Sequence, residues 1–208
     1  MFHEFFHRYT SCTIDEEFRY GMGIQYSDGR QYSGVSEKVI LSRDRQNSSL
    51  NQREYAYTGL FSPSSVVIPG ALVTTDEFSL FVMTMRRTTE RDKSCLMMKT
   101  NISVEIQEYR QLYDDFDNPV GDPVFTPVQV GAVGYVEYVS SQLRKEDPGL
   151  LPTTRYVLYL HASAEIKPPE ETSDPYRIVI NGRSYQVDSV DDTKLPNLRY
   201  VQLSEDTR

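Results

Sequence analysis

Ile178-Val179-Ile180-Asn181-Gly182-Arg183-Ser184-Tyr185-Gln186-Val187 decides the fold class. An apolar β-branched run meets Asn-Gly, and a second run follows in which Tyr185 and Val187 alternate with polar residues. Asn-Gly is the preferred centre of a two-residue type I′ turn, because both central residues need positive φ and Asn and Gly tolerate it. The stretch therefore predicts a β-hairpin turning at Asn181 and Gly182, with Tyr185 and Val187 on one face.

The flanking sequence continues in the same manner. Residues 156–160 (YVLYL) read as a buried strand, and 200–203 as a last strand after a Pro196-Asn197 turn. Ile102, Val104 and Ile106 alternate with polar residues, the mark of a half-buried strand. Residues 78–85 (FSLFVMTM) and 96–99 are further strand candidates. Residues 128–139 have strand character, although Val136, Val139 and Leu143 also fit helical spacing. Asp147-Pro148-Gly149 is a turn, and 167–175 (KPPEETSDP) an exposed loop. FSLFVMTM followed by KSCLMMKTN parallels RSYQVDSV followed by NLRYVQLSED, a pattern that fits two related β units and equally any two hairpins.

The expected fold class is mainly β: a small antiparallel barrel or sandwich with long loops and a short N-terminal helical arm. That arm rests on Phe2, Phe5, Phe6 and Tyr9, spaced i, i+3, i+4, i+7, and it needs a surface to dock on. Residues 11–58 read as polar and turn-rich. Within them, 42–55 (SRDRQNSSLNQREY) hold one aliphatic residue in fourteen, a loop too long for a tight connection. Residues 113–127 carry Asp-Asn-Pro, Gly-Asp-Pro and Thr-Pro and read as a linker. The expected division is a β-rich region at 1–120, with the arm and the polar loop, and a barrel at 121–208.

Of 208 residues, 30 are acidic and 22 basic, giving a net charge of -8. Residues 1–104 hold 12 of each sign, so 105–208 hold 18 acidic and 10 basic residues. This balance argues against ordinary phosphate-backbone binding, yet suits a wall past which DNA slides without being gripped. Fifteen Tyr and no Trp fit a sheet protein with half-wet subunit contacts. Cys12 and Cys95 are far apart and lack CxxC spacing, consistent with a reduced history. No apolar run approaches a membrane span, and the N-terminus lacks a signal-peptide pattern.

One catalytic motif stands out. His3-Glu4-Phe5-Phe6-His7 matches HExxH, which sets two zinc ligands and a general base on one helix face. Such a helix needs a wall and a third ligand. Here the motif starts at residue 3, no HxxGxxH extension follows, and His161 is the only other histidine. An amphipathic arm with two flanking histidines accounts for it better. No P-loop, GxGxxG or nucleophile elbow occurs, and Asp114-Asp115 and Asp191-Asp192 sit in turn contexts. The expectation is a chain without catalytic residues, metal or cofactor.

The order Pro127-Val128, Tyr135 to Val139, Arg155 to Leu160, Ile166-Lys167-Pro168, Asp174-Pro175-Tyr176, the 178–187 hairpin and Leu198 to Leu203 resembles the head-closure (stopper or head-tail joining) family of tailed phages. Residues 1–120 have no counterpart in it. The resemblance implies a small barrel assembling as a homo-oligomeric ring in the virion neck, made in the host cytoplasm. Its partners would be portal or adaptor and tail proteins, with DNA in the channel, bound without sequence specificity, and no membrane. A mobile polar loop suits channel closure. The first candidate is 42–55, with Arg43, Arg45, Gln46, Asn47 and Arg53, and the second is 86–93 (RRTTERDK). The alternatives are a tail-completion or terminator protein, a zinc hydrolase using His3, Glu4 and His7, and a carbohydrate- or receptor-binding module.

The zinc reading is directly testable: purified protein is expected to carry no stoichiometric zinc, and Glu4→Gln to change no metal-dependent hydrolysis. Stoichiometric zinc together with a hydrolysis lost in Glu4→Gln contradicts the expectation.

Overall fold

The computed structural model describes residues 22–27, 35–43, 55–89, 91–116, 118–172 and 174–208. Phe2, Phe5, Phe6 and Tyr9, with His3, Glu4 and His7, lie outside the described residues, as do Arg45, Gln46, Asn47, Arg53 and Cys12. The described chain is mainly β. Its strands are β1 (Met22–Ser27), β2 (Val35–Arg43), β3 (Ala56–Phe61), β4 (Leu72–Thr74), β5 (Ser79–Arg87) and β6 (Lys93–Lys99). They continue with β7 (Ile102–Tyr113), β8 (Pro119–Tyr138), β9 (Tyr156–His161), β10 (Arg177–Ile180), β11 (Arg183–Asp191) and β12 (Leu198–Glu205). One short helix, α1 (Ser141–Glu146), follows β8, its N-terminus capped by the Ser140 hydroxyl accepting from the Leu143 N–H.

Two compact units divide the chain. The first runs up to Thr100 and includes His161–Ser163 and Leu195–Asn197; the second takes the remainder from Asn101. Each is a closed antiparallel barrel, one in the order β1-β2-β3-β6-β5-β4 and the other β7-β8-β9-β12-β11-β10. The two orders are the same when each barrel is counted from its own first strand. Closure comes from β1 pairing with β4, at Tyr26↔Val73, and from β7 pairing with β10, at Ile106↔Ile178.

The likeness reaches individual residues. In β5–β6 the ladder runs Val82↔Met97 and then Thr84↔Leu96, so Met83 is an extra residue. In β11–β12 it runs Val187↔Leu203 and then Ser189↔Gln202, so Asp188 is extra. Each barrel thus bulges at the same step of its fifth strand, which is how a small barrel increases local twist. The hairpins that precede these bulges also match. Thr75 donates its N–H to the Phe78 carbonyl across Asp76-Glu77, and Ile180 pairs with Arg183 across Asn181-Gly182. Asn181 and Gly182 have φ of 49° and 77°, as a type I′ turn requires.

Inward positions alternate as a half-buried strand demands. Leu80, Val82, Cys95 and Met97 enter the first core, and Tyr185, Val187, Val201 and Leu203 the second. All are under a tenth exposed.

Two expectations need correction. The polar stretch 11–58 contains β1, β2 and the first half of β3. Its pattern is broken because Glu37 points inward; its carboxyl oxygens accept from the Ser65 hydroxyl and from the Val66 N–H at 2.8 Å, which satisfies a buried polar group. Just beyond the stretch, Gly59 takes an inward position of β3 without a side chain, and a Cβ there would come within 2.5 Å of Met97 Sδ. Second, 113–127 is not a linker: it forms the turn after β7 and the first part of β8, and the chain passes from the first compact unit to the second between Thr100 and Asn101. The strand character of 128–139 is borne out, since β8 runs to Tyr138; Leu143 lies in α1, so the helical spacing of Val136 and Leu143 joins two elements.

Two glycines separate conformational from steric cost. A Cβ on Gly182 meets nothing within 4 Å, so Gly182→Ala costs only its left-handed backbone, about 1 kcal/mol. A Cβ on Gly134 would lie 3.0 Å from both Tyr159 O and Leu158 Cδ1, so Gly134→Ala overpacks the barrel and costs more, about 2 kcal/mol. Urea denaturation of both variants checks the order; equal losses contradict it.

Candidate functional site

β7 and β8 outrun the barrel to which they belong. Pairing of β7 with β10 ends at Gln107, and β8 meets β9 only from Gly134 to Tyr138. Between these limits the two strands pair with one another alone, from Gln107↔Pro127 to Tyr113↔Pro119, as a two-stranded ribbon. Register shifts near Arg110 and Leu112 mark bulges that twist it.

The ribbon carries an apolar surface that a solvated hairpin has no use for. Phe116 is 85% exposed and Tyr113 62%, and Val120 and Val124 are at least half exposed. Large apolar side chains gathered on one exposed element mark a surface that another molecule covers. The tip is nonetheless ordered by its own chemistry. Asp114 accepts from the N–H groups of Phe116 and Asn118, both at 2.8 Å, and from the Asn118 amide. These Asn118 and Phe116 hydrogen bonds hold its carboxyl below the usual carboxylate range.

The root of the ribbon is clamped. Tyr109 and Phe125 form an edge-to-face cross-strand pair with centroids 5.3 Å apart. The Arg177 guanidinium stacks 3.7 Å from the Phe125 centroid, and Arg208 lies 5.1 Å from the same ring. Both cations are oriented by one carboxylate: Arg177 Nε donates to Asp206 at 2.7 Å and Arg208 Nε at 3.0 Å. The Asp206 side chain is wholly buried. Arg208 also donates to the Pro175 carbonyl at 3.0 Å. Desolvated guanidinium–carboxylate and guanidinium–ring contacts of this kind stabilise more than exposed pairs do. They fix the angle at which the ribbon leaves the barrel.

Burial pushes the Cys95 thiol up to about 12, against the opposing Lys93 charge, so it is no nucleophile at neutral pH. Among the described residues no group of three or more His, Cys, Asp or Glu is placed to hold a metal. His161 shares a 2.7 Å hydrogen bond between Nδ1 and the Ser163 hydroxyl. Asp147 accepts from Tyr200 and Lys194, and Lys194 lies 3.6 Å over the Tyr200 ring. A cavity of about 280 Å³ lies beside Arg155, Tyr156, Arg183 and Tyr185, but Arg155 is already paired with Glu205 at 2.7 Å.

The described candidates from the sequence lie on separate elements. Asn181 and Gly182 form an exposed turn, and Tyr185 is buried in the second core. Arg43 is exposed at the end of β2, and Arg86 and Arg87 end β5 before the tip of its hairpin with β6. The ribbon and its clamp were not singled out in the sequence. The available signal was Pro119, Pro123 and Pro127 at four-residue spacing amid Val and Phe, since proline in a strand belongs at an unpaired edge.

The clamp makes a signed prediction for pH. Burial alone would raise the Asp206 carboxyl, but hydrogen bonds from Arg208 and Arg177 bring it below the ordinary value. A depressed carboxyl stabilises the fold above its unfolded value, about 3.9, and that contribution is lost as pH falls through its folded value. Asp206→Asn is expected to lower stability at neutral pH and to flatten the loss below about pH 4 in denaturation curves; superimposable acid limbs contradict this. Compared with known proteins, the chain matches no family model and no curated protein.

Proposed function

We propose that the chain is a structural subunit of a tailed-phage neck, forming a homo-oligomeric ring that joins capsid to tail and lines or closes the DNA channel. The observation that carries this reading is the clamped apolar ribbon on a closed barrel. A closed barrel has no edge strand to offer a neighbour, so contact falls to projecting elements. A ribbon with Phe116 at its exposed tip and a buried clamp at its root is built for such contact. The resemblance of 125–208 to head-closure proteins supplies the kind of assembly.

The acidic excess of 105–208 suits a wall past which DNA moves. Arg43 introduces the first loop proposed to reach the channel, at the exposed end of β2. Barrel strands cannot serve as a gate, because moving one breaks a ladder of hydrogen bonds, whereas a polar loop opens at little cost.

The test is location and loss. A tagged chain is expected at the single head–tail vertex of assembled particles by electron microscopy, and particles lacking it are expected to leak DNA and remain tailless. Labelling spread over the capsid, or particles free of the chain, contradicts the reading. Tails of uncontrolled length on intact heads replace it with the terminator alternative.

A further inference from the structure

We infer that the β7–β8 ribbon docks on a second copy of this chain, its acidic, apolar tip seated on that copy's β5–β6 hairpin. This deepens the ring-subunit reading, but it concerns a contact that can be measured on purified protein.

The ribbon limits how it can be covered. Pro119, Pro123 and Pro127 lie in β8, and each lacks the N–H that a further strand would need. Strand addition along β8 is therefore blocked, and the partner must meet side chains. Those side chains are apolar and acidic. Residues 107–127 hold Glu108, Asp114, Asp115, Asp117 and Asp122 against Arg110 alone, and Arg110 is paired with Glu108 at 2.9 Å.

A receiving surface needs exposed apolar area beside positive charge. Residues 105–208 carry the acidic excess and repel a second acidic ribbon. The β5–β6 hairpin has the opposite character. Residues 83–96 hold Arg86, Arg87, Arg91 and Lys93 against Glu90 and Asp92. Arg86, Arg87 and Arg91 are exposed. Leu96 is 40% exposed and pairs with Thr84, two residues along from the Arg86↔Ser94 pair, so Leu96 and Arg86 share an outer face. Phe116 and Val120 supply the apolar match, and Asp115 faces the arginines. Giver and receiver are different patches on one chain, so every copy can do both. That is a head-to-tail contact, which closes into a ring when its rotation permits.

Sedimentation of the purified chain up to about 1 mM tests the contact, with circular dichroism to confirm folding of each variant. The wild type is expected to self-associate with rising concentration. Phe116→Asp is expected to weaken association roughly thirtyfold. Asp115→Arg and Arg86→Glu are each expected to weaken it roughly threefold, and the double variant to recover most of that loss. A chain monomeric throughout overturns the inference, and so do charge reversals whose losses add instead of compensating. It is also overturned if Arg86→Glu abolishes retention on duplex DNA and leaves self-association unchanged, because the hairpin then faces nucleic acid. Association that responds as expected, in a chain absent from the phage neck, keeps the contact and removes the neck reading. Neck rings that form normally with Phe116→Asp do the reverse.

Discussion

Two ladders, β1 with β4 and β7 with β10, hold the rest of the structure in place. A sheet edge exposes a row of backbone N–H and C=O groups that pair with whatever strand arrives. Here each edge is paired with the other edge of its own sheet. Six strands then enclose one apolar interior in each barrel. Everything beyond the closing ladder is free to become something other than barrel. In the second unit β7 and β8 continue past Gln107 and become the ribbon.

The two barrels share strand order, a two-residue hairpin between the fourth and fifth strands, and a bulge between the fifth and sixth. They differ in what they carry on that frame. The β5–β6 turn of the first presents arginines. At the matching turn of the second, Asp191 accepts from the N–H groups of Thr193 and Lys194, and Asp192 pairs with Arg199. One scaffold used twice thus bears opposite charges at matching turns. The geometry of closure is kept, because Val82 and Val187 occupy the same step before the bulge.

Much of the second barrel was legible because its strands obey simple rules. Asn181-Gly182 dictates a turn by backbone conformation alone, and Ile102, Val104 and Ile106 alternate without interruption. The parallel between 78–101 and 183–206 was legible too, and it corresponds to the fifth and sixth strands of each barrel. The first barrel was harder to read. Glu37 occupies an inward position and is made tolerable by Ser65 and Val66, which lie 28 and 29 residues away. Local sequence cannot reveal a partner so distant. The ribbon was misread for a different reason. Its prolines are turn residues by composition and edge-strand residues by position, and only the pairing partner of β8 decides between the two. The clamp joins Tyr109 and Phe125 to Arg177, Asp206 and Arg208, residues from three separate stretches, which no periodicity brings together.

Function in this account resides in what projects from a rigid frame. The barrel fixes Arg177, that arginine and Asp206 fix Phe125, and Phe125 fixes the direction of a surface containing Phe116 and Val124. The central claim is that assembly covers the ribbon and leaves the barrel ladders as they are. Amide hydrogen exchange, compared between the dilute chain and the assembled particle, measures this segment by segment. The account predicts that exchange in 108–126 slows on assembly while β9, β11 and β12 are unchanged. Unaltered exchange in 108–126, with new protection confined to the barrel strands, contradicts it.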